Sequence, residues 1–167
     1  MKKLILMLLF IAPMTAFAQK FGHIDSQALL TSLPEAIKVQ GELEALGKTY
    51  EASLKEMQDE LQRKADEYDK TKSTMNATKQ AETETALQEL YTKIQQAASD
   101  NQQAFNKAQQ EKLGPILEKV RTAIANVAKA GGYVYIMELN AGQPLYINET
   151  LSKDITAEVK AELAKSK

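Results

Sequence analysis

His23 is the only histidine of this 167-residue chain, and Asp25 stands two residues further on in the stretch KFGHID. On a strand that spacing puts both side chains on one face, an arrangement from which a general base or a metal-ligand pair can be built. Either role needs further groups nearby, and the chain holds no second histidine and no cysteine. The other reactive patterns are as bare. Asn76-Ala77-Thr78 and Asn148-Glu149-Thr150 fit the glycosylation acceptor pattern. Asp66, Glu67 and Asp69 form an acidic cluster of the kind that lies on a solvated helix face. There is no glycine-rich phosphate loop. The expectation is a protein that is not an enzyme and uses no cofactor or metal.

What remains is binding chemistry. From Arg63 to Gln80 the chain carries Arg63, Lys64, Lys70, Lys72 and Lys79 against only Asp66, Glu67 and Asp69, and no acid follows Asp69 until Glu82. Lys70, Lys72 and Lys79 make a locally basic patch that can steer acidic unfolded chains or touch an anionic membrane surface. The alternative is ordinary solubilising lysines, since the local excess is small and salt screens it. The formal net charge of the whole chain is −1, which excludes a strong general affinity for nucleic acid.

The elements that must position these groups begin after residue 18. The start, MKKLILMLLFIAPMTAFAQ, has two lysines, an apolar run and an Ala16-Phe17-Ala18 cleavage site, the pattern of a cleavable secretory signal. The apolar run is too short for a membrane span. Without it, 19 basic residues face 22 acidic ones, and an exported chain lacking cysteine has no disulfide to support a small core. Oligomerisation is the usual remedy.

Between Gly47 and Gly114 there is neither glycine nor proline. From Val39 the apolar positions run Leu43, Leu46, Tyr50, Leu54, Met57, Leu61, Ala65, Tyr68, a repeat of eleven; Ile94, Phe105, Ile116 and Val127 also stand eleven apart. Eleven residues over three turns, about 3.67 per turn, predicts nearly straight helices. Leu117, Val120, Ile124 and Val127 read as strong core positions, whereas QQAASDNQQA (95–104) reads as weakly packed. TKSTMNATK, residues 71–79, is a poor helix former rich in capping side chains, so a hairpin tip is expected near 72–78. Gly114-Pro115 inside the second helix is either a tolerated kink or a hinge.

GGYVYIMEL (131–139) is a strand pattern that needs a partner, and a short strand at about 21–25, followed by Ser26 as a helix N-cap, supplies one. Pro144 to Ile147 is expected as a third strand against the second, followed by an amphipathic helix bearing Ile155, Val159 and Leu163. The fold class is therefore α+β, mostly α: a small sheet body with a long antiparallel two-helix coiled-coil arm. Residues 19–34 and 114–167 make the body, 35–113 the arm. Ile24, Val134, Ile136, Leu145 and Ile147 are the expected body core and oligomer contacts.

The order of these parts, and above all the closing stretch VRTAIANVAKAGGYVYIM with the terminal KDITAEV, resembles the OmpH/Skp family of periplasmic chaperones. The resemblance implies a homotrimer with a barrel-like central body. Its arms would enclose unfolded outer-membrane β-barrel proteins without ATP, in the periplasm. Met57, Leu61, Tyr68, Met75, Leu87 and Tyr91 are the candidate client-facing residues, with packing between the two arm helices as their alternative role. This chain departs from the better-known members in being mildly acidic, so a lipopolysaccharide site does not carry over. A coiled-coil spacer or tether in the cell envelope is the rival reading. A prefoldin-like assembly shares the helical arms, but prefoldins work in the cytosol.

Overall fold

A computed structural model describes residues 19–139 and 146–165. The order of elements is β1 (Lys20–Ile24), α1 (Ser26–Ser32), α2 (Pro34–Thr71), a 3₁₀ turn (Lys72–Thr74), α3 (Ala77–Gly131), β2 (Tyr133–Glu138), β3 (Ser152–Asp154) and α4 (Thr156–Lys165). The chain separates into two compact units, Gln27–Thr122 and the segments on either side of it. The expected signal peptide, 1–18, lies outside the described residues.

In the first unit α2 starts where Leu33 is extended, at φ −84° and ψ 124°, as the residue before a proline should be. Pro34 then occupies the first turn, where its missing N–H is no loss. The helix stops at the serine- and threonine-rich stretch. Met75 is extended, Asn76 Oδ1 accepts from the Lys79 backbone amide at 2.8 Å as a cap for α3, and the Gln80 side-chain Nε2 donates to the carbonyls of Lys72 and Met75.

Contacts between α2 and α3 join Glu35 to Lys119, Glu42 to Lys112, Gly47 to Phe105 and Tyr68 to Glu84. The numbers rise along one helix as they fall along the other. The eleven-residue stripe from Val39 to Tyr68 is partly or fully buried at every position, and so are Ile94, Phe105 and Ile116. Leu117 corrects the expectation: it is 45% exposed, while Ile116 and Val120 are buried. Neighbouring residues on a helix point about 100° apart, so Leu117 falls off the buried stripe when Ile116 is on it.

The second unit is a three-stranded sheet in the order β2-β1-β3, both pairs parallel. Parallel strands cannot be joined by a tight hairpin, and here everything from residue 25 to 132 is the connection between β1 and β2. Phe21, Gly22, His23 and Ile24 pair with Tyr135, Ile136, Met137 and Glu138, after a bulge at Lys20/Phe21. Gly22 is where packing is tight: a Cβ there would lie 3.3 Å from the Tyr133 ring and 3.4 Å from Ile136 and Ile155. Ile24, Ala123, Ile155 and Val159 are buried in this unit. Gly132, at φ 67°, closes α3 in the left-handed conformation suited to glycine.

The third strand is a correction. Tyr146 and Ile147 are not in a strand, Pro144 and Leu145 lie outside the described residues, and β3 is Ser152–Asp154, paired with β1 rather than β2. The reason is the turn before it. Asn148 Oδ1 accepts from the amide and hydroxyl of Thr150, and Asn148 O accepts from the amides of Leu151 and Ser152. Ser26 is likewise the first residue of α1 rather than its cap; its amide donates to Glu138 Oε1 at 3.1 Å.

Candidate functional site

His23 lies on the central strand and is buried, and its Nδ1 is 3.0 Å from the Oγ of buried Ser152 on β3. The ring therefore joins two strands rather than pairing with Asp25. Asp154, opposite His23 in the register, is held below the ordinary carboxylate range by hydrogen bonds from the Thr156 hydroxyl and amide. No described group of three or more histidine, cysteine, aspartate or glutamate side chains is arranged to hold a metal. No described helix is long and apolar enough to cross a membrane.

The sheet instead offers a surface. β2 stands at an edge with one row of backbone groups unpaired by β1, and Val134, Tyr135 and Met137 on it are 47%, 66% and 41% exposed. The Tyr135 ring stacks on Phe21, centroids 6.3 Å apart. An apolar edge whose one charge, Glu138, stands at its end and accepts from the Ser26 amide invites another strand. Among the expected assembly residues, Ile24 is buried, Ile136 and Ile147 are half-buried, and Val134 is exposed. Leu145 lies outside the described residues. Near β3, Tyr146 and Leu151 are also exposed.

On the two-helix unit, Met57, Leu61, Tyr68 and Leu87 lie half-buried along the helices, and Met75 half-buried in the tip. Tyr91 differs, being 48% exposed. The Tyr68 hydroxyl donates to Glu84 at 2.6 Å, and that bond raises its pKa. Ile37 and Leu117 are exposed apolar residues that periodicity alone does not single out. Their signal is that each sits one residue beyond a buried stripe position, Ala36 and Ile116.

The basic patch is mostly neutralised in place. Lys72 Nζ lies 2.8 Å from Asp69, which raises the lysine's pKa, and Lys79 lies 3.3 Å from Glu82. Lys70 has no ion pair among the described residues. Gly114 and Pro115 sit inside an unbroken α3, with open space around Gly114. A groove of about 730 Å³ beside the end of α3 and α4 is lined by Lys129, Lys153, Glu158, Glu162 and Lys165. Its acids are already paired, Glu158 with Lys153 and Glu162 with Lys165.

Residues 20–163 match the family described as outer membrane protein (OmpH-like). The fold is similar to the crystal structure of an OmpH-like protein from Caulobacter crescentus CB15, described as a candidate outer membrane chaperone. The TM-score is 0.72 at 19% identity, over 89% of this chain and 86% of that one. No curated protein matches the sequence.

Proposed function

The chain belongs to the OmpH-like family of outer membrane proteins, and from that membership we propose that it is a periplasmic chaperone. It holds unfolded outer-membrane β-barrel proteins without ATP and keeps them from aggregating. Cleavage after Ala18 leaves a mature chain beginning at Gln19. The two long helices form an antiparallel coiled-coil hairpin, and three copies join through their sheets into a barrel-like body, so that a client is held among three hairpins.

The observation that carries this reading is a disproportion within the two-helix unit. α2 and α3 run 38 and 55 residues, yet the side chains they bury fully in that unit are only Ala36, Leu43, Ile94, Ile116 and Val120. At 1.5 Å per residue α2 alone is about 57 Å long. Length on this scale with so little core serves reach rather than folding. The apolar edge of β2 supports self-association, which would cover Val134, Tyr135 and Met137. Tyr91, and Met57, Leu61, Tyr68, Met75 and Leu87 when the hairpin opens, supply the sparse apolar contact a holdase needs. Lys70, with Lys72 and Lys79, supplies contact with acidic clients or anionic lipid.

The spacer or tether has one observation in its favour, since α3 continues through Gly114-Pro115 without a break. Native mass measurement of the mature chain, alone and with a β-barrel client diluted from urea, separates the two. The chaperone predicts a trimer that takes up one client; a chain that never binds client while assembling normally is a spacer.

A further inference from the structure

Along α3 the partly or fully covered positions run Leu87, Leu90, Ile94, Ala97, Asn101, Phe105 and Ala108. Ile94 is buried to 8% exposure, but the next two positions are a methyl side chain and a carboxamide. Asn101 makes no side-chain hydrogen bond to another described residue, and no described side-chain nitrogen or oxygen is buried without a partner. Water therefore reaches its amide inside the seam between the helices. The pairs Gly47–Phe105 and Tyr68–Glu84 bracket this level and place Asn101 opposite Glu51, between the half-covered Tyr50 and Leu54 of α2, while Glu51, Ala52 and Ser53 themselves are exposed.

The polar ties follow the same division. The links from one helix to the other are Lys119–Glu35 and Lys112–Glu42 on one side of this level and Tyr68–Glu84 on the other. Between them every described side-chain hydrogen bond or ion pair stays within its own helix, among them Lys48–Glu44, Lys55–Asp59, Gln96–Asp100, Gln102–Asn106 and Gln103–Ser99. Each helix is tied along itself there, and no described side-chain hydrogen bond or ion pair ties one to the other.

We propose that Ala97 and Asn101 form a soft layer at which the two helices part or bend. It divides the unit into a segment packed on Leu43, Ile116 and Val120 and an outer one packed on Ile94. Gly114-Pro115 lies inside the first segment, between two cross-helix ion pairs and beside buried Ile116, so the bending falls at Asn101 rather than at the proline. A polar residue in a helix seam lowers stability locally and fixes register. The methyl side chain of Ala97 next to it leaves Tyr50 and Leu54 with fewer apolar contacts to resist opening. That this layer lets the hairpins adapt to clients of different size rests on the function proposed above; its existence does not.

Hydrogen exchange of the mature protein without client tests it. Amides of residues 97–104 and 49–56 are expected to exchange at least about tenfold faster than those flanking both Leu43 and Ile94. Asn101→Leu, alone and with Ala97→Leu, is expected to erase that difference. Protection that is uniform, or that declines smoothly to the tip without recovering at Ile94, overturns the proposal. So does an Asn101→Leu protein that folds and keeps the fast segment. If neither variant folds, the wild-type profile decides alone. A soft layer found in a protein that holds no client would leave this inference standing and the proposed function refuted.

Discussion

The Nδ1 of His23 lies 3.0 Å from the Oγ of Ser152, joining the central strand to the edge strand β3 between two buried side chains. The only histidine of the chain is thus a fastening of the sheet. Ser152→Ala leaves a buried ring nitrogen without its partner and is expected to lower stability by about 1–3 kcal/mol. Replacing both residues, His23→Phe with Ser152→Ala, is expected to cost less than the sum of the single changes. Urea unfolding of the three variants measures this, and an unchanged midpoint for Ser152→Ala would contradict it.

Acid should find Asp154. Thr156 donates to it through its hydroxyl at 2.6 Å and its amide at 2.8 Å, which depresses the folded-state pKa. A depressed carboxylate contributes stability above its unfolded pKa, and that contribution is lost as pH falls through the folded value. Because the carboxylate is exposed and solvent screens it, Asp154→Ala is expected to cost at most about 1 kcal/mol near neutral pH, with the gap to wild type closing below about pH 4. A gap that stays constant into acid would rule the carboxylate out as the cause.

Val134 is half-exposed on the edge strand, whereas Ile136 packs near Gly22 inside the sheet unit. Val134→Asp thus tests assembly with little effect on the unit's own core, while Ile136→Asp damages both. Burying the new charge should weaken self-association by at least about a hundredfold, roughly 3 kcal/mol. Sedimentation over a dilution series checks it. A Val134→Asp protein that assembles as the wild type does at low micromolar concentration would place the interface elsewhere.

Much of this organisation is legible in the sequence because helix and strand periods differ. The stripe from Val39 to Tyr68 marks one covered face, and GGYVYIMEL can pair only with a strand at the far end of a long helical detour, which is β1. What escaped depends on phase and on turns. Leu117 and Ile116 are equally apolar, and only packing against a neighbour decides which is covered. Asn148-Glu149-Thr150 reads as a modification motif but works as the turn that starts β3. Ser152-Lys153-Asp154 has no strand propensity of its own; pairing with β1 imposes the conformation. The basic patch was visible, but its neutralisation by Asp69 and Glu82 needed the helix geometry.

That neutralisation shapes the next expectation. Replacing Lys70, Lys72 and Lys79 together by glutamate removes one unpaired cation and turns two ion pairs into repulsions. Association with an acidic unfolded client should slow at about 0.05 M salt, and the difference should fade by about 0.5 M as the Debye length shrinks. Stopped-flow association at both salts measures it. Equal rates at low salt would make these lysines purely solubilising.

The most direct measurement is light scattering from an unfolded β-barrel protein diluted out of urea in the presence of full-length or shortened chain. Deleting Met57 to Leu90 and rejoining the helices removes the tip and the outer turns. It leaves Leu43, Ile116, Val120 and the whole sheet unit with Ile24, Ile155 and Val159. The shortened protein is expected to assemble and melt cooperatively but to leave client aggregation unchecked, while the full-length chain suppresses it at one trimer per client. Equal suppression by both would show that the long helices are not the holding device.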